Sequence, residues 1–131
     1  MRAIARRENG TFRHDVEIRR HVVVADEPAE NGGDDSGPSP QELLAASLAS
    51  CTAITMEMYA KRKDWDIGEV VVDVNYEPAQ RGSPTRFRLE VHLSEEVPKE
   101  QRERLMQIAA RCPVHRTLEG EVMFEETLQP A

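Results

Sequence analysis

The chain has no excess of positive charge, few cysteines and no spaced set of metal ligands, and each lack removes a class of function. Lysine and arginine number 17 against 24 aspartates and glutamates, a formal net charge of −7. A nucleic-acid groove or a contact with an anionic membrane needs a net basic face, so neither partner is expected. His14, His21, His92 and His115 show no ligand spacing, and no metal is expected. Ser36, Ser39, Ser47 and Ser50 lack the setting of a nucleophile elbow, which disfavours hydrolase chemistry. The two cysteines lie 61 positions apart, too far for a local redox motif or a zinc knuckle. Residues 1 to 7 carry arginines but no apolar core segment of an export signal, so a reducing cytoplasm is the expected setting, where a thiol serves as chemistry or as packing. The length, 131 residues, predicts a single domain over 1–131 that buries roughly two-thirds of its unfolded surface.

What the chain does have is one long helix, around which the rest is arranged. In GPSPQELLAASLASCTAITMEMYAKR, Ser39 is a good N-cap, Pro40 suits the first helical position, and Glu42 completes a capping box. Lys61, Arg62 and Lys63 supply positive charge where the helix C-terminus is partially negative. The helix should run about 34 Å, close to the whole diameter of so small a domain. Residues 43 to 55 carry no charge and are apolar or small on every side, which predicts burial all round. The segment is too short and too rich in Ala and Ser to read as a membrane span.

The remaining chain alternates as strands do. Residues 2 to 8 suit a short edge strand, and Asn9-Gly10 is a turn signal. From Phe12 onward, Phe12, Val16 and Ile18 alternate with polar residues. Two readings follow: either a turn falls near Arg19-Arg20 before a new strand at 21 to 25, or the register continues and Arg20 points at a buried site. Residues 26 to 37, DEPAENGGDDSG, have the composition of a flexible surface segment or lid. Val70, Val72, Val74 and Tyr76, then Phe87, Leu89, Val91 and Leu93, form the inward rows of an antiparallel hairpin. Pro98 opens a second helix whose stripe is Leu105, Ile108, Ala109 and Cys112, and Pro113 starts one more short helical turn with Cys112 as its cap. Residues 121 to 128 read as a final strand. The class is α+β, in the order β-β-β-α-β-β-α-β, with two long helices packed on antiparallel sheets.

Position raises both cysteines above ordinary packing residues. Cys51 lies mid-helix in the most apolar element, and Cys112 lies where one helix stops and another begins, a place where a thiol pKa can fall. Glu42 is the acid that could orient an arginine near a thiol, yet the capping box already accounts for it. Nine residues at about 100° each also place it on the opposite side of the helix from Cys51, and Gln41 lies closer to the cysteine face.

The stretches GPSPQELLAASLASC and RCPVHRTLEGEV, with ADEP before the loop and the element order, resemble the OsmC/Ohr family of osmotically inducible and organic hydroperoxide resistance proteins. The resemblance covers nearly the whole chain. It implies an intertwined homodimer with sites at the subunit interface, and reduction of organic hydroperoxides, fatty or aryl alkyl, in oxidative-stress defence. In that reading Cys51 attacks the peroxide and Cys112 resolves the sulfenic acid as a disulfide, with an external dithiol reductant and no bound cofactor. The position that usually holds a thiolate-binding glutamate is Gln41, with an acid only at Glu42. The acidic loop has no arginine, so the activating cation would come from Arg13, Arg19 or Arg20. A different class of function fits the same residues: a non-catalytic OsmC-like module that binds a small apolar or thiol-reactive ligand at the dimer interface, with both cysteines as lining.

Overall fold

The computed structural model describes residues 1 to 130; Ala131, the last residue of the expected domain, lies outside them. The architecture is α+β, as the sequence pattern predicts. Strands β1 (Ile4–Arg7), β2 (His14–Ile18) and β3 (His21–Ala25) precede helix α1 (Pro40–Arg62); β4 (Val71–Glu77), β5 (Arg86–His92), α2 (Lys99–Ala109) and α3 (Pro113–Glu119) follow. The residues group into two compact units, Met1–Ala46 with Tyr76–Arg86, and Ser47–Asn75 with Phe87 onward.

In the first unit β1, β2 and β3 form an antiparallel sheet in chain order, with Val16 opposite Val23 and Ala5 opposite Val16. The turn between β2 and β3 is Arg19-Arg20, and Arg19 takes a left-handed conformation, φ 54°. This settles the choice left open by the alternation: Arg20 sits in an exposed turn and not on an inward row.

The segment from 26 to 37 is not the loose lid that its composition suggests. Asp26, only 2% exposed, accepts hydrogen bonds from the Glu27 N–H at 2.7 Å, the Ser36 N–H at 3.0 Å and the Ser36 hydroxyl. The Asp26 N–H itself donates to the Pro38 carbonyl, and the Asp35 N–H to the Glu27 carbonyl. Gly33 lies so close to Glu27 that a Cβ there would stand 2.0 Å from the Glu27 carbonyl oxygen. One buried carboxylate thus gathers the polar backbone of the loop, which composition alone presents as flexible.

The α1 capping box forms as expected. The Ser39 N–H donates to Glu42 Oε1 at 2.9 Å and the Glu42 N–H to Ser39 Oγ at 3.2 Å. Burial all round does not. The buried residues of α1 are one row, Leu48, Thr52, Met56 and Ala60, while Ile54 and Met58 are more than half exposed. The apolar composition states what wants cover, but one chain covers one side. By length and composition alone α1 could cross a membrane; its buried row instead ends in the core of the second unit.

That core holds Met56 and Ala60 of α1, Leu105 and Ala109 of α2, and Ile67 and Val97 from the connections. Val91 and Leu93 pack against it, and β4 and β5 pair with alternating exposed and half-buried residues, as their period requires. The expected final strand is absent: residues 121 to 130 take no helical or strand conformation, and Val122, Met123, Phe124 and Leu128 are exposed. Alternation makes a segment fit for a strand, but the strand exists only once a neighbouring edge accepts its hydrogen bonds.

The hydrogen bonds of Ser36 and Glu27 lower the Asp26 pKa to about 2, against the opposing effect of burial. Because the folded value lies below the unfolded one, near 4, the stability that Asp26 contributes is complete above about pH 4 and is lost as pH falls through about 2. Urea midpoints measured across that window should fall steeply for the parent protein. Asp26→Asn should start lower and change less.

Candidate active site

The second unit brings the two cysteines together. Cys51 is half-buried in the fourth turn of α1, and Cys112 is fully buried between α2 and α3. Both thiols are free, and they stand within hydrogen-bonding reach of one another. Local sequence explains each placement. The capping box fixes where α1 begins, and the inward turn of Leu48 and Thr52 leaves Cys51 on the flank of the buried row. Pro113 forces α2 to close, so Cys112 becomes the N-cap of α3 and its Sγ accepts the His115 N–H at 3.2 Å.

Burial pushes the Cys112 thiol up from its ordinary value, since no water reaches it to solvate a thiolate. The His115 N–H draws it partly back, the Cys51 thiol adds to the rise, and a hydrogen bond from Thr52 opposes it. The resting Cys112 is therefore a protonated thiol whose ionisation is tied to its neighbours. Thr52 is a partner that sequence reasoning missed. Its hydroxyl lies 2.8 Å from the Leu48 carbonyl and 3.8 Å from Cys112 Sγ. The available signal was a lone hydroxyl on the apolar row next to Cys51.

The other candidate residues belong to the first unit. Arg13 pairs with Asp15 at 3.5 Å, and its Nε is buried without a partner among the described residues. Arg20 stands in its exposed turn. Gln41 is exposed beside a cleft of about 490 Å³ that it shares with Glu27, Glu30, Asp35 and Glu42. The Glu42 carboxylate is held below its ordinary pKa by the Ser39 N–H and hydroxyl, which is the electrostatic mark of a cap. The same unit has an apolar pocket of about 480 Å³, lined by Phe12, Val16, Ala25 and Leu43, with His14 and Asp26 among its polar members. Among the described residues no group of three or more His, Cys, Asp or Glu is placed to hold a metal.

Two free thiols in contact, one of them capping a helix, can be oxidised as a pair. The family model described as OsmC-like protein matches residues 33–127, a span that includes both cysteines. The chain belongs to the OsmC-like family. Solved structures give the same fold. A Psychrobacter arcticus structure, described as an osmotic stress induced and detoxification response protein, is 23% identical with a TM-score of 0.74, covering 88% of this chain and 85% of its own. An organic hydroperoxide resistance protein of Vibrio cholerae, with captopril bound in one of its active sites, is 22% identical with a TM-score of 0.64, over 92% and 85%. The organic hydroperoxide resistance protein of Bacillus subtilis is 19% identical with a TM-score of 0.60, over 91% and 90%. At these identities the likeness is one of fold. Comparison with curated proteins finds no match.

The roles of Ser39 and Glu42 separate by mutation. Ser39→Ala should cost about 1 kcal/mol in denaturant unfolding. Glu42→Gln keeps an acceptor for the Ser39 N–H and should leave the alkylation rate of Cys51 unchanged within twofold; a large loss of reactivity at unchanged melting would assign Glu42 to the thiol instead.

Proposed function

We propose that this OsmC-like protein reduces organic hydroperoxides with a pair of thiols, in oxidative-stress defence. The observation that carries the reading is the meeting of Cys51 and Cys112, two free thiols from distant parts of the sequence, at hydrogen-bonding distance. Cys51 attacks as thiolate; the peroxide O–O bond breaks, the alkoxide leaves and takes a proton as the alcohol, and Cys51 carries the oxygen as sulfenic acid. Cys112, deprotonated, then attacks the Cys51 sulfur. The S–S bond forms, the S–O bond breaks, and hydroxide leaves as water with the proton that Cys112 gave up. An external dithiol takes the two oxidising equivalents from the disulfide and resets the site. No metal or organic cofactor enters this sequence.

A homodimer is part of the same reading. Ile54 and Met58 lie on α1 opposite the buried row, and the apolar side chains of 122 to 128 have no cover within one chain. A second copy supplies an identical apolar helix and a matching edge, so the chain should associate through these surfaces. A non-catalytic ligand carrier is the competing function, favoured by the apolar pocket of about 480 Å³ in the first unit.

Sedimentation at micromolar concentration should give about twice the chain mass, and a well-behaved monomer removes the dimer. Mass spectrometry after one equivalent of cumene hydroperoxide decides the chemistry. A Cys51 to Cys112 disulfide is expected, Cys51→Ser should abolish turnover, and Cys112→Ser should leave sulfenate or higher oxides on Cys51. Finding neither disulfide nor sulfenate leaves the ligand carrier standing.

A further inference from the structure

Thr52 is fully buried beside the cysteine pair, and its hydroxyl has one hydrogen for two acceptors. At rest the better geometry is with the Leu48 carbonyl, at 2.8 Å, against 3.8 Å to Cys112 Sγ. The Leu48 carbonyl is already served by the backbone N–H of Thr52 itself, through the i to i−4 bond of the helix. The hydroxyl can therefore turn away without leaving that carbonyl unpaired. Cys112 Sγ is closed to solvent, and among the described residues the His115 N–H is its one backbone donor.

We infer that Thr52 is a switching donor for the resolving thiol, its hydroxyl turning from the Leu48 carbonyl to Cys112 Sγ when Cys112 gives up its proton. The inference rests on the proposed two-thiol reaction for its role, but its geometry stands apart from it. In the resting state the Thr52 hydroxyl reaches Cys112 Sγ only as a long donor, at 3.8 Å. Once the proton leaves toward the departing hydroxide, the same oxygen presents its hydrogen, and the thiolate is held by two donors, Thr52 O–H and His115 N–H, while it attacks Cys51. The titratable group that meets Cys112 is Cys51 from α1; on α3 His115 offers its backbone N–H while its ring is turned to Glu119, and α2 contributes the Ala109 carbonyl, which accepts the Cys112 N–H. Thr52 is thus a positioning residue for one step, the closure of the disulfide.

Two variants of the 131-residue chain test this. Thr52→Val keeps the shape and removes the hydroxyl, and Thr52→Ser keeps the hydroxyl. In a Cys51→Ser background, ultraviolet titration of the Cys112 thiolate should show its midpoint raised by about one pH unit in Thr52→Val and restored in Thr52→Ser, the size of one lost hydrogen bond to a charged group. With Cys51 present, the ratio of disulfide closure to sulfenate formation after cumene hydroperoxide should fall about tenfold in Thr52→Val and recover in Thr52→Ser. Equal midpoints in Thr52→Val and the parent would overturn the switch, as would a loss that Thr52→Ser fails to rescue. Absence of sulfenate in the parent removes the peroxidase reading, and the titration still decides Thr52.

Discussion

The cysteine pair depends on which row of α1 is turned inward. A helix fixes the angle of each residue relative to every other, so once Leu48, Thr52, Met56 and Ala60 are buried, the orientation of Cys51 is no longer free. Met56 and Ala60 are held by Leu105 and Ala109 of α2, and α2 in turn ends where Pro113 obliges Cys112 to turn inward as a cap. Packing between two helices and the closure of one of them are thus the same event that sets one sulfur beside the other. Core and chemistry share residues: Thr52 belongs to the buried row by position and to the thiol pair by its hydroxyl.

Charge is managed differently in the two units. Asp26 remains ionised although it is almost inaccessible, because three donors compensate the lost hydration. Cys112 is equally inaccessible but has one backbone donor and a weak contact, so burial prevails and the neutral form is favoured. The number of donors decides the sign in each case. A carboxylate that organises a loop must stay charged, whereas a thiol that waits for its turn must not ionise early.

Local signals were legible in the sequence and tertiary ones were not. Ser39, Pro40 and Glu42 defined the start of α1, Pro113 the break after Cys112, and the alternation around Val74 and Leu89 the hairpin, because each of these is decided within a few residues. The clasp of Asp26 on Ser36 spans a loop whose glycines and acids read as flexible, and nothing in their order tells which acid is buried. The Thr52 contact with Cys112 joins residues 60 positions apart, which no periodicity announces. The failed strand at 121 to 128 and the exposed face of α1 have one cause. Hydrophobic patterning records a demand for cover, while the supplier of the cover is a matter of assembly.

Gly33 and Gly37 give the loop before α1 an unusual mechanical character. Neither has a left-handed backbone, so their need for glycine is one of space: the chain passes against the Glu27 carbonyl at one and the Val24 carbonyl at the other, nearer than any side chain permits. A left-handed turn can accept asparagine with modest strain, but two backbones in contact leave no room to compromise. The loop therefore behaves as a welded bracket, whose shape survives a change of charge on its surface more readily than the addition of a single methyl group at either weld.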